Sequence, residues 1–124
     1  TVTGPRIGTK ATIDGKKEVS TDGLITIEDV VSYKGLTAGK EYKLTGTLMN
    51  KTTGEPFKLN GEEIRAEVVF TPEKSEGEVT VSFPFDTSWV NATTDIVVFE
   101  KLSLGGKEVA VHEDIGDKEQ TVTS

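Results

Sequence analysis

The chain contains no cysteine. That excludes a disulfide framework, the usual support of small extracellular domains, so the chain is either cytosolic or stabilised in some other way. Basic residues are scarce too: 14 lysines and arginines stand against 21 aspartates and glutamates, a formal net charge of −7. With neither a basic patch nor a basic helix, a nucleic-acid partner and an anionic-membrane surface are excluded. No apolar run approaches the length of a membrane-spanning helix. No signal peptide or sorting signal is visible, but the chain reads as a fragment of something longer, so nothing follows from that. There is one tryptophan, Trp89, and one histidine, His112.

What is present is a strand-former's sequence. The 124 residues amount to a single domain, 1–124, with 34% hydrophobic and 28% charged residues, enough to bury a core without much surplus stability. Short runs rich in Val, Ile, Thr, Phe and Tyr alternate with turn clusters: "DGKK", "TDG", "TAGK", "NKTTGEP", "LNGEE", "PEKSEGE" and "LGGK". No stretch has the apolar period of a three-turn helix. The predicted strands are Ile7–Ile13, Leu24–Tyr33, Glu41–Met49, Glu62–Phe70, Gly77–Phe85, Asp95–Leu102, Lys107–His112 and Glu119–Thr123. This spacing predicts an all-β, antiparallel sandwich or barrel. Trp89 and Val90 are expected to plug one end of it, with ligand binding by Trp89 as the alternative. Two sequons, at Asn50 and Asn91, matter only in a host that glycosylates.

Side chains alternate between the faces of a strand, so phase separates inward from outward residues. In "LITIEDVVSY" the inward set is Ile25, Ile27, Asp29, Val31 and Tyr33. In "IVVFEKL" it is Ile96, Val98, Glu100 and Leu102. Each core-facing row thus contains a carboxylate. In "IGTKATI", Thr9 shares the phase of Ile7, Ala11 and Ile13, and near the C-terminus Gln120 shares that of Val122. A buried, unpaired carboxylate is costly and either takes up a proton or finds a partner. Taken singly, each acid reads as a strand-end residue satisfied by backbone donors. Taken with Thr9, His112 and Gln120, they read as parts of one site, with the first and last strands as neighbours.

That set has a definite chemistry. A threonine hydroxyl is a weak nucleophile that needs a base, and His112 is the side chain suited to it. The Gln120 carboxamide is an acyl group that a hydroxyl attacks with loss of ammonia. Neutral buried acids can donate to the developing oxyanion or protonate the leaving amine. The product would be an ester joining the first strand to the last.

These residues carry a family resemblance. From "IGTKAT" through "TIEDVVSYKGLTAGKEYKLTGTLMNKTTGEPF", "FTPEKSEGEVTVSFPFD" and "VVFEKL" to "VAVHEDIGDKEQTV", the chain resembles the T-Q ester-bond domains, or VaFE-repeat domains, of Gram-positive surface adhesins. The resemblance implies an immunoglobulin-like β-sandwich, similar to Cna protein B-type domains. It also implies an autocatalytic Thr–Gln ester, with Gln120 as acyl donor and His112, Asp29 and Glu100 assisting. The threonine is Thr9 on inward phase. Thr12 is the alternative, which a bulge in the strand would favour. Asp117 or Glu113 is a candidate to orient His112, against a plain reading of both as solvated acids. No cofactor and no metal site is implied.

Two roles follow from this resemblance. The first is a structural stalk module, extracellular and anchored to the cell wall through its parent, whose partners are neighbouring domains of the same adhesin. It reacts once with itself and is not a turnover enzyme. The second is an adhesive head of the same fold recognising a host protein or glycan. A hydrolase pairing His112 with a hydroxyl is disfavoured, because no nucleophile-elbow motif is present.

Overall fold

A computed structural model of the chain describes residues 4–13, 24–86, 94–114 and 116–123; for Leu24, Phe85 and Gln120 it describes the backbone. Trp89, Val90, Asn91 and the "DGKK" and "TDG" clusters lie outside the described residues. The strands are β1 (Arg6–Ile13), β2 (Leu24–Lys34), β3 (Tyr42–Asn50), β4 (Lys58–Leu59), β5 (Glu62–Glu63), β6 (Arg65–Phe70), β7 (Gly77–Asp86), β8 (Asp95–Leu104), β9 (Lys107–His112) and β10 (Thr121–Thr123). A single turn of 3₁₀ helix, Lys118–Gln120, precedes β10. Among the described residues, no helix is long and apolar enough to cross a membrane.

Two antiparallel sheets face each other in an immunoglobulin-like sandwich. One has the order β1-β2-β7; the other has the order β10-β8-β3-β6, with β9 also paired to β8. Ile13, Ile27, Val31, Val81 and Phe83 of the first sheet meet Leu44, Leu48, Ile96, Val98, Leu102 and Val122 of the second. Alternation holds in β2, where Ile25, Ile27, Asp29, Val31 and Tyr33 are all buried, as the phase predicts. The β8–β9 hairpin turns on Gly105 and Gly106, at φ 58° and 80°. Two successive positive φ values make the tight turn whose twist matches that of the flanking strands.

Two expectations need correction. The predicted strand Glu62–Phe70 is divided. Glu62–Glu63 closes a small hairpin with Lys58–Leu59, and the chain then enters β6 and pairs with β3. The predicted strand Glu119–Thr123 is only its second half. Glu119 and Gln120 belong to the 3₁₀ turn, so an alternation argument does not apply to Gln120. The first and last strands are neighbours, as expected, but across the two sheets and not as partners in a ladder. β10 pairs with Asp95–Val97 and β9 with Glu100–Leu104 on the same edge of β8. The two therefore form one interrupted last strand, and the segment between them loops out opposite Val98 and Phe99. β1, at the edge of the other sheet, packs against β9, the 3₁₀ turn and β10 across the open side of the sandwich.

The ends of this arrangement are well separated. Arg6 pairs with Lys34, at the end where the loops after β2 and β6 meet through Leu36 N–H to Ser75 O (3.1 Å) and Gly39 N–H to Pro72 O (2.9 Å). Thr123 pairs with Asp95 and donates its hydroxyl to the Asp95 carboxylate at 2.6 Å, at the opposite end. β1 and β10 run in the same direction.

Candidate functional site

The two inward acids come from opposite sheets and meet in the core. Asp29 lies on β2 between Ala11 of β1 and Val81 of β7. Glu100 lies on β8 between Gly46 of β3 and His112 of β9. Both are 0% exposed, the only fully buried charged side chains among the described residues. Ionised, the Glu100 oxygens would face no donor among the described residues; with a proton between them, the two carboxyls satisfy each other. Burial, then the hydrogen bond to Asp29, then the Asp29 charge push the Glu100 carboxyl up to about 11. Two carboxyls this close share one proton and titrate as a pair.

This has a pH signature. Folded Glu100 holds its proton more tightly than unfolded Glu100, so its contribution to stability is full below the unfolded value of 4.5 and falls as pH rises toward about 11. In the Gln120→Ala protein, the urea midpoint should fall between about pH 5 and about pH 9, and Glu100→Gln should flatten that fall. Equal slopes in the two proteins would show that Glu100 is not held protonated.

Thr9 joins the acids from the neighbouring strand. It pairs with Val31, and Ala11 with Asp29, so Thr9 is the diagonal neighbour of Asp29 on the inward face. Its Oγ1 is buried and has no hydrogen-bond partner among the described residues. Buried hydroxyls normally have one; here no described residue supplies it. Thr12 pairs with Glu28 in the opposite phase, on the outer face, and no bulge shifts the β1–β2 register.

His112 ends β9 directly across from Glu100 and shares its face. Its Nε2 is 2.5 Å from Asp117 Oδ2. Donation from Nε2–H to the carboxylate fixes the tautomer whose basic lone pair is on Nδ1. Asp117 also caps the turn that carries Gln120. Its Oδ1 accepts from Glu119 N–H at 2.9 Å, and its carbonyl accepts from the Thr121 hydroxyl at 2.7 Å. One aspartate thus ties the imidazole to the 3₁₀ turn. Of the two acids weighed as orienting groups, Asp117 makes this contact, while Glu113 is exposed. The Gln120 backbone closes the turn against β1; its side chain is outside the described part. Among the described residues, no group of three or more His, Asp or Glu side chains is placed to hold a metal ion.

Thr9, Asp29 and Glu100 thus all face inward as their phase predicts, the two acids meet, and strand pairing sets His112 across from Glu100. A sandwich that encloses a buried acid pair and holds a carboxylate-bound histidine at its open edge is an immunoglobulin-like module. The T-Q ester bond containing domain family matches residues 5–124, and the chain belongs to that family. No curated protein matches the sequence. Among solved structures, the chain is similar to a bacterial adhesin from Mobiluncus mulieris containing intramolecular disulfide, isopeptide and ester bond cross-links. In space group P1 the TM-score is 0.76 at 20% identity, covering 98% of this chain and 57% of that one. In space group P21 the TM-score is 0.75 at 22% identity, covering 97% and 56%. A glycosyl hydrolase family 2 member from Bacteroides cellulosilyticus DSM 14838 gives a TM-score of 0.64 at 13% identity over 96% of this chain and 15% of its own. These likenesses show a shared fold, and the chain spans little more than half the length of the adhesin chains.

Proposed function

We propose that this module is a structural element of an extracellular bacterial adhesin, self-stapled by an ester between Thr9 and Gln120. The observation that carries the reading is the buried Thr9 hydroxyl, unengaged among the described residues, beside the Asp29–Glu100 pair, at the edge where the Gln120 turn packs on β1. His112 takes the Thr9 proton as the oxygen attacks the Gln120 carboxamide carbon. The protonated acid pair stabilises the oxyanion. As the intermediate collapses, the C–N bond breaks and the departing nitrogen receives the proton from His112. One hydroxyl and one carboxamide are consumed, and one ester and one ammonia are formed. Nothing is regenerated, so the module reacts once and is not a turnover enzyme. Burial protects the product, since a solvated ester hydrolyses.

The stalk role rests on direction. β1 and β10 run the same way and lead to opposite ends of the sandwich, so tension shears one past the other. A covalent link between them carries the load along Arg6–Thr9 and Gln120–Thr123, bypassing the core. The cell-wall anchor and the neighbouring adhesin domains as partners belong to the same proposal. Closing a loop of about 110 residues also removes unfolded-state entropy, on the order of 4–5 kcal/mol by analogy with a disulfide. That is how a chain without cysteine gains a staple.

The test is intact mass. The purified protein should weigh one ammonia less than its sequence. Thr9→Ala and Gln120→Ala should restore the full mass, and Thr12→Ala should not. Full mass in the folded parent, or in Thr12→Ala alone among the threonine variants, would overturn the assignment.

A further inference from the structure

β3 has an inward row of Tyr42, Leu44, Gly46 and Leu48, all buried. A glycine in the middle of a strand loosens the backbone and contributes no packing. Gly46 is not among the glycines with positive φ, so its conformation is open to any residue. What glycine supplies here is room. A Cβ at this position would lie 2.5 Å from Phe83 Cζ, 2.9 Å from Glu100 Oε1 and 3.0 Å from Glu100 Oε2. Glu100 is the cross-strand partner of Gly46 on β8, while Phe83 reaches over from β7 of the other sheet. The carboxyl and the ring edge share the gap that the absent side chain leaves.

We propose that Gly46 is a positioning residue: its bare Cα is the seat that holds the Glu100 carboxyl against Asp29 beneath the Phe83 ring. A methyl group at Gly46 must displace either the ring or the carboxyl. Phe83 is 1% exposed and packed within the core, whereas the glutamate has several rotatable bonds and ends in the group nearest the new methyl on its own sheet. The carboxyl therefore yields first. Its displacement opens the acid pair and deprives the oxyanion of its donor. The effect on bond formation rests on the ester reading above; the seat itself does not.

Two readouts keep these apart. In the Gln120→Ala background no ester can form, and the ¹³C carboxyl resonance of Glu100, assigned by its loss in Glu100→Gln, reports the acid pair directly. There, Gly46→Ala should shift the Glu100 signal and lower the pH at which it titrates, because the contribution of Asp29 is lost while burial remains; an unmoved signal with an unchanged titration overturns the seat. In the Gln120 protein, Gly46→Ala should slow ammonia loss by about ten- to a hundredfold, the cost of misplacing a reacting group by about 1 Å. Phe83→Leu removes the closest contact of the new methyl, so Gly46→Ala should slow the reaction as much in the Phe83→Leu background as without it. Recovery of the rate in the double variant would assign the glycine to the ring and overturn the proposal. If Gly46→Ala alone does not fold, the double variant against Phe83→Leu gives the same comparison for both readouts. If the parent protein never loses ammonia, the ester reading fails, and the carboxyl signal still decides the seat.

Discussion

Pulled by the start of β1 and the end of β10, the parent protein is expected to show no unfolding step, whereas Thr9→Ala should lengthen abruptly. In the parent, the ester leaves only a few residues outside the closed loop, so the force has little chain to release. In the variant, β1 is an edge strand held by a single ladder to β2, from Arg6↔Lys34 to Ile13↔Ile27. Once that ladder shears, the roughly 110 residues between Thr9 and Gln120 become available at ~3.5 Å each, a gain of about 380 Å in contour length. A single-molecule stretching trace on tandem copies checks this. A full-length step from the parent would show that the load does not pass through the cross-link.

The second large effect concerns rate. His112→Ala should leave a folded protein that retains its ammonia, with ester formation slowed by about 10²–10⁴-fold, the usual contribution of a placed general base. The imidazole is half-buried at the end of β9 and is not one of the residues of the apolar core cluster, so its loss should spare the sandwich. Asp117→Asn should slow the reaction too, for two reasons that one experiment separates. The amide can present a donor to Nε2, which favours the wrong tautomer, and it weakens the capping of Glu119 N–H. Asp117→Ser keeps a cap acceptor but gives up the reach to His112, so a rate as low as in Asp117→Asn assigns the effect to the imidazole. Mass spectra taken over time after purification measure all three variants. Cross-linking of His112→Ala at the parent's rate would remove the histidine from the mechanism.

How far the sequence reveals this site depends on what kind of information each residue carries. Asp29 and Glu100 are legible because strand period is local: a charged residue with an aliphatic residue two positions away on each side, Ile27 and Val31 or Val98 and Leu102, faces the core, and both are buried. The inward phase of Thr9 is legible for the same reason, and so is the opposite phase of Thr12, which pairs with Glu28. Gln120 sits in phase with Val122 in the sequence, yet its backbone is helical. The signal there is Asp117, an N-cap residue whose side chain binds the amide two positions on and which phase counting ignores. The partition of strands between sheets is not local at all. β9 and β10 both take the free edge of β8, which leaves β1 facing them without a ladder, and no pattern within β1 encodes that. Gly46 is visible as a glycine in an inward row, but the carboxyl that needs its space is 54 positions away on another strand.

The most direct test of the central claim is to digest the folded protein and sequence its peptides by tandem mass spectrometry. The account predicts a branched species, in which the peptide containing Thr9 is joined to the peptide containing Gln120, with one ammonia missing and fragment ions on both arms that bracket those two residues. Mild alkaline hydrolysis should then separate the arms and leave a glutamate at position 120. Recovery of both peptides as unlinked species with an intact Gln120 carboxamide, or a branch that begins at Thr12, would contradict it.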